Sequence, residues 1–255
     1  MSDANAAIIQ VMDLSLGFAG QTLLQNINFQ VQPGEIFVIL GPSGSGKSVL
    51  LKHLIGLYSP WSGQVLIQGQ DLHQAQTAKR FQILQKIGVS FQTGALFGSM
   101  NLGQNVALPL QELTPLPQRA IERIVHMKLH LVGLSGYGHL MPAELSGGMQ
   151  KRAAIARAMA LDPLILFLDE PSAGLDPLTS ADLDGLIRNL SSFLGITFVI
   201  VSHELQSIFS VAQRMIILDS KQKGIAAQGA PQELLASPPT EWVRRFLHRD
   251  PAPSP

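Results

Sequence analysis

The sequence predicts an α/β fold: a core with a mainly parallel sheet, an N-terminal antiparallel β subdomain and an inserted helical subdomain. Three observations carry this expectation. Phe37 to Leu40, Ile165 to Leu168, Phe198 to Val201 and Met215 to Leu218 are continuous apolar runs. Strands covered on both faces by helices read in this way. Stretches of helical periodicity separate the runs, and alternating strands and helices make an α/β core. The first 35 residues instead alternate between apolar and polar, as in an antiparallel sheet with one wet face.

In chain order, Ile27, Phe29 and Val31 fall on one face of a strand and Asn28, Gln30 and Gln32 on the other. Pro33-Gly34 marks a turn. Val65 to Ile67, ended by Gly69, extends the same layer, so the antiparallel subdomain is expected over 1–35 and about 60–90. Residues from about 95 to 150 carry little strand signal and are expected to form the helical subdomain. Within it, Ile121, Ile124, Val125, Leu129 and Val132 form an amphipathic stripe after Pro115 and Pro117. Leu183, Leu186, Ile187, Leu190 and Leu194 form another, with Asp176 as N-cap and Pro177 as the first helical residue. Trp242, Val243, Phe246 and Leu247 share one face of a short helix, expected to cover its own domain or else a second protomer. One domain is expected over 1–248, and the proline-rich 249–255 are expected to be a disordered tail.

Composition narrows the function. The 255 residues include 18 basic and 18 acidic side chains, a formal net charge of zero. Only 14% are charged, 46% are hydrophobic, and mean hydropathy is +0.22. This excludes global disorder and argues against a nucleic-acid binder, which would carry a basic excess. Cysteine is absent, which excludes disulfides, thiolate metal sites and a cysteine nucleophile and fits a reducing compartment. Met1 to Ala7 shows no secretory signal. The longest apolar runs are short, such as Leu164 to Leu168, whereas a bilayer span needs roughly 20 residues. The apolar excess is therefore expected to serve a buried sheet, a partner interface, or both.

Two motifs carry chemistry. Gly41, Pro42, Ser43, Gly44, Ser45, Gly46, Lys47 and Ser48 fit G-x-x-x-x-G-K-[ST], between the strand ending at Leu40 and a helix opening at Val49. Glycines let backbone N–H groups converge on phosphate oxygens, and a helix N-terminus adds positive charge. Lys47 is expected to reach the β- and γ-phosphates and Ser48 to ligate Mg²⁺. A chance match of the four fixed positions is expected in roughly 1% of chains of this length, and the strand–helix context makes it rarer. Asp169 and Glu170 end a buried strand, where a phosphate-loop enzyme places a metal-holding Asp and an acid that polarises water. Alone, Asp-Glu-Pro would as readily be a strand-ending turn; beside a phosphate loop the site reading prevails.

Leu145-Ser-Gly-Gly-Met-Gln150 resembles the LSGGQ signature of ATP-binding cassette (ABC) ATPases, with Met149 where glutamine is commoner. Gln150 to Arg152 and Ala153 to Ala160 also resemble the family pattern. Further matches fall in the family's order: Gln92 at the Q-loop, Ala173 to Asp176 at the D-loop and His203 at the switch histidine. Phe18 stands where the family usually has an adenine-stacking tyrosine, and phenylalanine keeps the π-face. The resemblance implies a P-loop NTPase (RecA-like) core, the ABC ATPase fold, and hydrolysis of ATP with Mg²⁺. It implies head-to-tail dimers around two ATP molecules. Ser146, Gly147, Gly148 and Asp176 would serve nucleotide shared with the second copy, Gln92 would sense Mg²⁺ and γ-phosphate, and His203 would contact the γ-phosphate.

Ser90 to Phe97, Met100-Asn101, Asn105 to Leu110 and Leu140 to Met149 resemble more narrowly the Mla/Mce-associated ATPases. That resemblance implies lipid cargo, an integral-membrane permease, an Mce-domain lipid-binding subunit and a peripheral place on the cytoplasmic face of the inner or plasma membrane. Ala95, Leu96 and Phe97 are candidates for a docking groove, or Phe97 for the core. An ABC ATPase of cell-division or cell-wall signalling, and an importer of a small polar solute, remain the alternatives.

Overall fold

The computed structural model describes residues 6–18 and 20–250, apart from the Phe18 side chain. Two sheets divide the strands. β1 (Ile9–Phe18), β2 (Gln21–Val31), β4 (Ser62–Ile67) and β5 (Gln70–Asp71) form an antiparallel sheet in the order β2-β1-β4-β5. β3 (Ile36–Leu40), β6 (Ile87–Ser90), β7 (Ile165–Asp169), β8 (Thr197–Ser202), β9 (Arg214–Asp219) and β10 (Gly224–Gly229) form the second, ordered β10-β9-β3-β8-β7-β6. All its pairings are parallel except the edge pair β9–β10.

Burial follows the periodicities. β2 buries Ile27, Phe29 and Val31 and exposes Asn28 and Gln30, whereas every residue of β3 and β8 is buried. Alternate residues of the parallel sheet serve two cores. Phe37, Ile39, Phe167, Val199 and Val201 pack with the antiparallel sheet and with Leu50, Leu51 and Leu54 of α1 (Lys47–Leu54). Phe29 stacks on Phe37 at 5.2 Å across that seam. Val38, Leu40, Leu166, Leu168 and Ile200 face the other way, toward the helices.

Between β6 and β7 the described chain is helical: α3 (Leu102–Leu113), α4 (Gln118–Leu131) and α5 (Gly147–Ala158), after a short α2 (Thr77–Leu84) that precedes β6. α4 starts after Pro117 and buries Ile121, Val125 and Leu129. α6 (Pro177–Leu194) starts as expected, with the Asp176 carboxylate accepting from the Leu178 and Thr179 N–H groups at 3.1 Å. α7 (Leu205–Val211) and α8 (Pro231–Ala236) flank β9 and β10. α9 (Glu241–His248) buries Val243 and Leu247 against its own domain, with Trp242 and Phe246 stacked at 5.4 Å.

Two boundaries differ from expectation. Residues 87–90, expected at the end of the antiparallel unit, pair in parallel with Ile165–Leu168. Gly88 permits this: a Cβ there would lie 2.2 Å from the Ala158 carbonyl, so only a glycine lets the end of α5 sit on this strand. The described chain also runs two residues past 248. Arg249 adopts φ +58° at the end of α9, and the Asp250 carboxylate accepts from Arg244 at 3.0 Å. The rest of the expected tail, 251–255, lies outside the described residues. No helix among the described residues is long and apolar enough to cross a membrane.

Candidate active site

The site is built where β3 meets α1. The loop 41–46 turns so tightly that a Cβ on Gly41 would meet Ser45 Oγ at 2.5 Å and the Leu218 carbonyl at 2.9 Å. Gly44 and Gly46 hold φ of +80° and +94°, the left-handed region that glycine enters without cost. Gly46 caps α1 with no side chain, so no capping oxygen takes up the first-turn N–H groups, and they face outward as an anion cradle. Ser45 Oγ is buried without a partner, and the Lys47 ammonium donates to the Gly41 and Pro42 carbonyls at 2.8 and 3.1 Å. A partnerless hydroxyl, open N–H groups and a nearby cation fit a polyphosphate.

β7 delivers the carboxylates. Ser48 Oγ donates to Asp169 Oδ1 at 3.3 Å. Burial pushes the Asp169 carboxyl up from its ordinary value, against the Ser48 hydrogen bond, and burial pushes Lys47 down, opposed by Glu170 and Asp169. A divalent cation beside Ser48 and Asp169 would offset that burial, so this pair fits Mg²⁺. Glu170 holds φ +48°, unusual for a residue with a side chain and a strain of about 1–3 kcal/mol. Its N–H donates to the Val201 carbonyl at 2.8 Å, and its carboxylate accepts from His203 Nδ1 at 2.8 Å. A cavity of about 410 Å³ is lined by Ser43, Gly44, Gly46 to Val49, Gln92, Glu170 and His203. The structure thus brings the phosphate loop, Gln92, Glu170 and His203 together, with Asp169 behind Ser48. Phe18 ends β1, but its side chain lies outside the described residues.

Ser146, Gly148 and Asp176 are not in this cavity. Ser146 caps α5, its Oγ accepting from the Met149 N–H at 3.3 Å, and lines a separate depression with Gly148, Tyr137, Arg152 and Thr179. Gly147 stands between them in the first turn of α5. The Asp176 carboxylate is taken up by Thr179 and the start of α6. Gly148 is fixed by contact: a Cβ there would lie 2.4 Å from Thr179 Cγ2. Gly148→Ala is expected to destabilise the fold by about 1–3 kcal/mol, the cost of overpacking. Adding Thr179→Ser, which removes that methyl and keeps the hydroxyl on Asp176, is expected to restore most of the loss in urea unfolding. A double variant no more stable than the single one would show that this contact is not the cause.

The family described as ABC transporter matches residues 24–173. The chain belongs to the ABC transporter family. It is 41% identical to the intermembrane phospholipid transport system ATP-binding protein MlaF of Escherichia coli (strain K12) over 97% of this chain and 91% of that protein. The probable ribonucleotide transport ATP-binding protein mkl of Mycobacterium leprae is 42% identical over 94% of this chain and 68% of that protein. Among solved structures, cbiO1 from Clostridium perfringens, part of the ABC transporter complex cbiONQ, superposes with a TM-score of 0.83 at 29% identity, covering 96% of each chain. The dimeric post-hydrolysis state of the ATP-binding cassette MJ0796, bound to ADP and Pi, gives 0.77 at 28% identity, covering 87% of this chain and 98% of that one. The chain is accordingly an ATP-binding and ATP-hydrolysing subunit of ABC type.

The contacts of several residues around this ABC site were not legible in the sequence. Leu23 lines the cavity; an apolar residue beside buried Leu24 on an otherwise wet face was the one available hint. The segment after Gln92 is pinned by α5, where Arg157 donates to the Gly94 and Ala95 carbonyls at 2.9 and 2.7 Å and sits 5.9 Å over the Phe97 ring. Asn105, fully buried, accepts from the Phe97 N–H at 2.8 Å and donates to the carbonyls of Phe97, Met100 and Asn101. The Phe97 ring itself is 50% exposed, which places it at the surface and not in the core.

Proposed function

We propose that the chain drives phospholipid movement as a head-to-tail homodimer. In this reading it sits on the cytoplasmic face of the inner or plasma membrane, bound to an integral-membrane permease and an Mce-domain lipid-binding subunit, with no nucleic-acid partner. The identity to MlaF over nearly the full length of both chains carries the reading. The mkl likeness is as high but spans 68% of that protein, so a ribonucleotide cargo has weaker support. The MJ0796 dimer supports pairing, as do the two separate depressions of this chain, which a head-to-tail arrangement would bring together. The exposed Phe97 supports permease docking.

The roles follow from position. Ser43 to Val49 cradle the phosphates of ATP, and Lys47 sets a cation beside them. Ser48 and Asp169, with Gln92, would hold Mg²⁺, which neutralises phosphate charge. Glu170 takes the proton of the attacking water. His203 holds that carboxylate through Nδ1 and lines the same cavity, where it would meet the terminal phosphate. By the family resemblance alone, Phe18 would stack on adenine, while Asp176 and Ser146 to Gly148 would serve the second copy's nucleotide.

The test is the complex purified in detergent and returned to liposomes. The expected result is a permease, an Mce-domain subunit, co-purified phospholipid, and ATPase activity raised by phospholipid. A complex without lipid, stimulated by ribonucleotides or another polar solute, would overturn the lipid assignment.

A further inference from the structure

The first turns of α5 face two sites. Its start lines the depression of Ser146 and Gly148, while Lys151, about one turn on, reaches the other way. The Lys151 ammonium donates to the Gln92 carbonyl and, at 3.2 Å, to the Glu170 carbonyl. These residues lie 59 and 19 positions away in sequence. Both acceptors are main-chain atoms, so the cation fixes where the backbone of each residue runs. That matters at Glu170, whose strained backbone aims its carboxylate into the cavity. Its carbonyl is otherwise met only by the Ala173 N–H at 3.2 Å among the described residues.

We propose that Lys151 is a positioning residue that ties the signature helix to Gln92 and Glu170 of the same chain, so that filling the Ser146–Gly148 depression sets the alignment of the hydrolytic carboxylate. The proposal rests on the head-to-tail pairing and on Glu170 as the base. In such a dimer each α5 meets one nucleotide with its first turn and governs hydrolysis of the other through Lys151. The two sites then respond to ATP together.

Lys151→Met removes the donors and keeps the stem; Lys151→Arg keeps cation and donors. ATP turnover against ATP concentration, ATP binding and thermal unfolding are measured on the full chain. For Lys151→Met the expected result is turnover down about tenfold to a hundredfold, the scale of a small misplacement at a reacting centre. ATP binding and the unfolding midpoint stay near those of the parent, the ATP dependence loses its cooperativity, and Lys151→Arg restores most of the turnover. The proposal is overturned if Lys151→Met turns over within twofold of the parent, if a slower variant keeps its cooperativity, or if weaker ATP binding accounts for the loss. Should Lys151→Met not fold, Lys151→Gln, which retains a donor, is held to the same criteria with a smaller expected loss. Glu170→Gln is measured beside it. If that variant keeps full turnover, the reading of Glu170 fails and takes the proposal with it; if it is inactive, a failure at Lys151 belongs to the tie alone.

Discussion

Glu170→Gln is expected to lower ATP turnover by roughly 10²–10⁴-fold, the usual contribution of a positioned general base. The amide has the shape of the carboxylate, and its oxygen can still accept from His203, which now bonds the acid at 2.8 Å. The backbone at φ +48° keeps its N–H bond to Val201, so the fold is expected to survive. ATP binding is expected to persist, because the phosphate loop and Lys47 are untouched. With hydrolysis blocked, an ATP-bound dimer is expected to accumulate, as the proposed head-to-tail pairing around nucleotide requires. Phosphate release and light scattering on a sizing column read both effects. A variant that binds ATP and stays monomeric would remove the support for head-to-tail pairing.

Lys47→Ala is the second large effect. The ammonium holds the loop by its own two carbonyls at 2.8 and 3.1 Å while burial works against its charge. Losing it forfeits both the cation beside the phosphates and the loop's internal tie. Hydrogen bonds to charged groups are worth about 1.5–3 kcal/mol each, so ATP affinity is expected to fall roughly 10- to 150-fold. Turnover is expected to fall further, by about 10²–10³-fold, as when one preorganised donor to a transition state is removed. Lys47→Arg is not expected to rescue it, since a planar fork does not replace a compact ammonium threaded between two carbonyls. Equilibrium ATP titration and phosphate release test this; undiminished turnover would remove the phosphate loop from the mechanism.

The sheet and the phosphate loop were legible for the same reason: each is written in contiguous residues. The run 37–40 needs cover on two faces, and 41–48 needs glycine at left-handed turns. β6 was misplaced because four residues containing Gly88 carry little pattern, and the reason they join the parallel sheet is a helix end some 70 residues later, at Ala158. β10, Gly-Ile-Ala-Ala-Gln-Gly, is a single-partner edge strand and gave no sign. Lys151, Arg157 and Asn105 lie in stretches that resemble the family pattern, but what each does was not legible, because each acts on carbonyls that only the fold sets against it. Contacts of that kind have no periodicity to betray them.

Asn105 carries one further consequence. Its amide satisfies four main-chain groups between Phe97 and Asn101, a loop with no regular structure of its own. The entropy of ordering that loop is therefore spent during folding, by contacts at most eight residues apart. A protein landing on Phe97 would meet a loop already held by hydrogen bonds, with the Arg157 guanidinium 5.9 Å from the ring. Docking there becomes a near rigid-body encounter whose affinity is not reduced by freezing the surface it recognises.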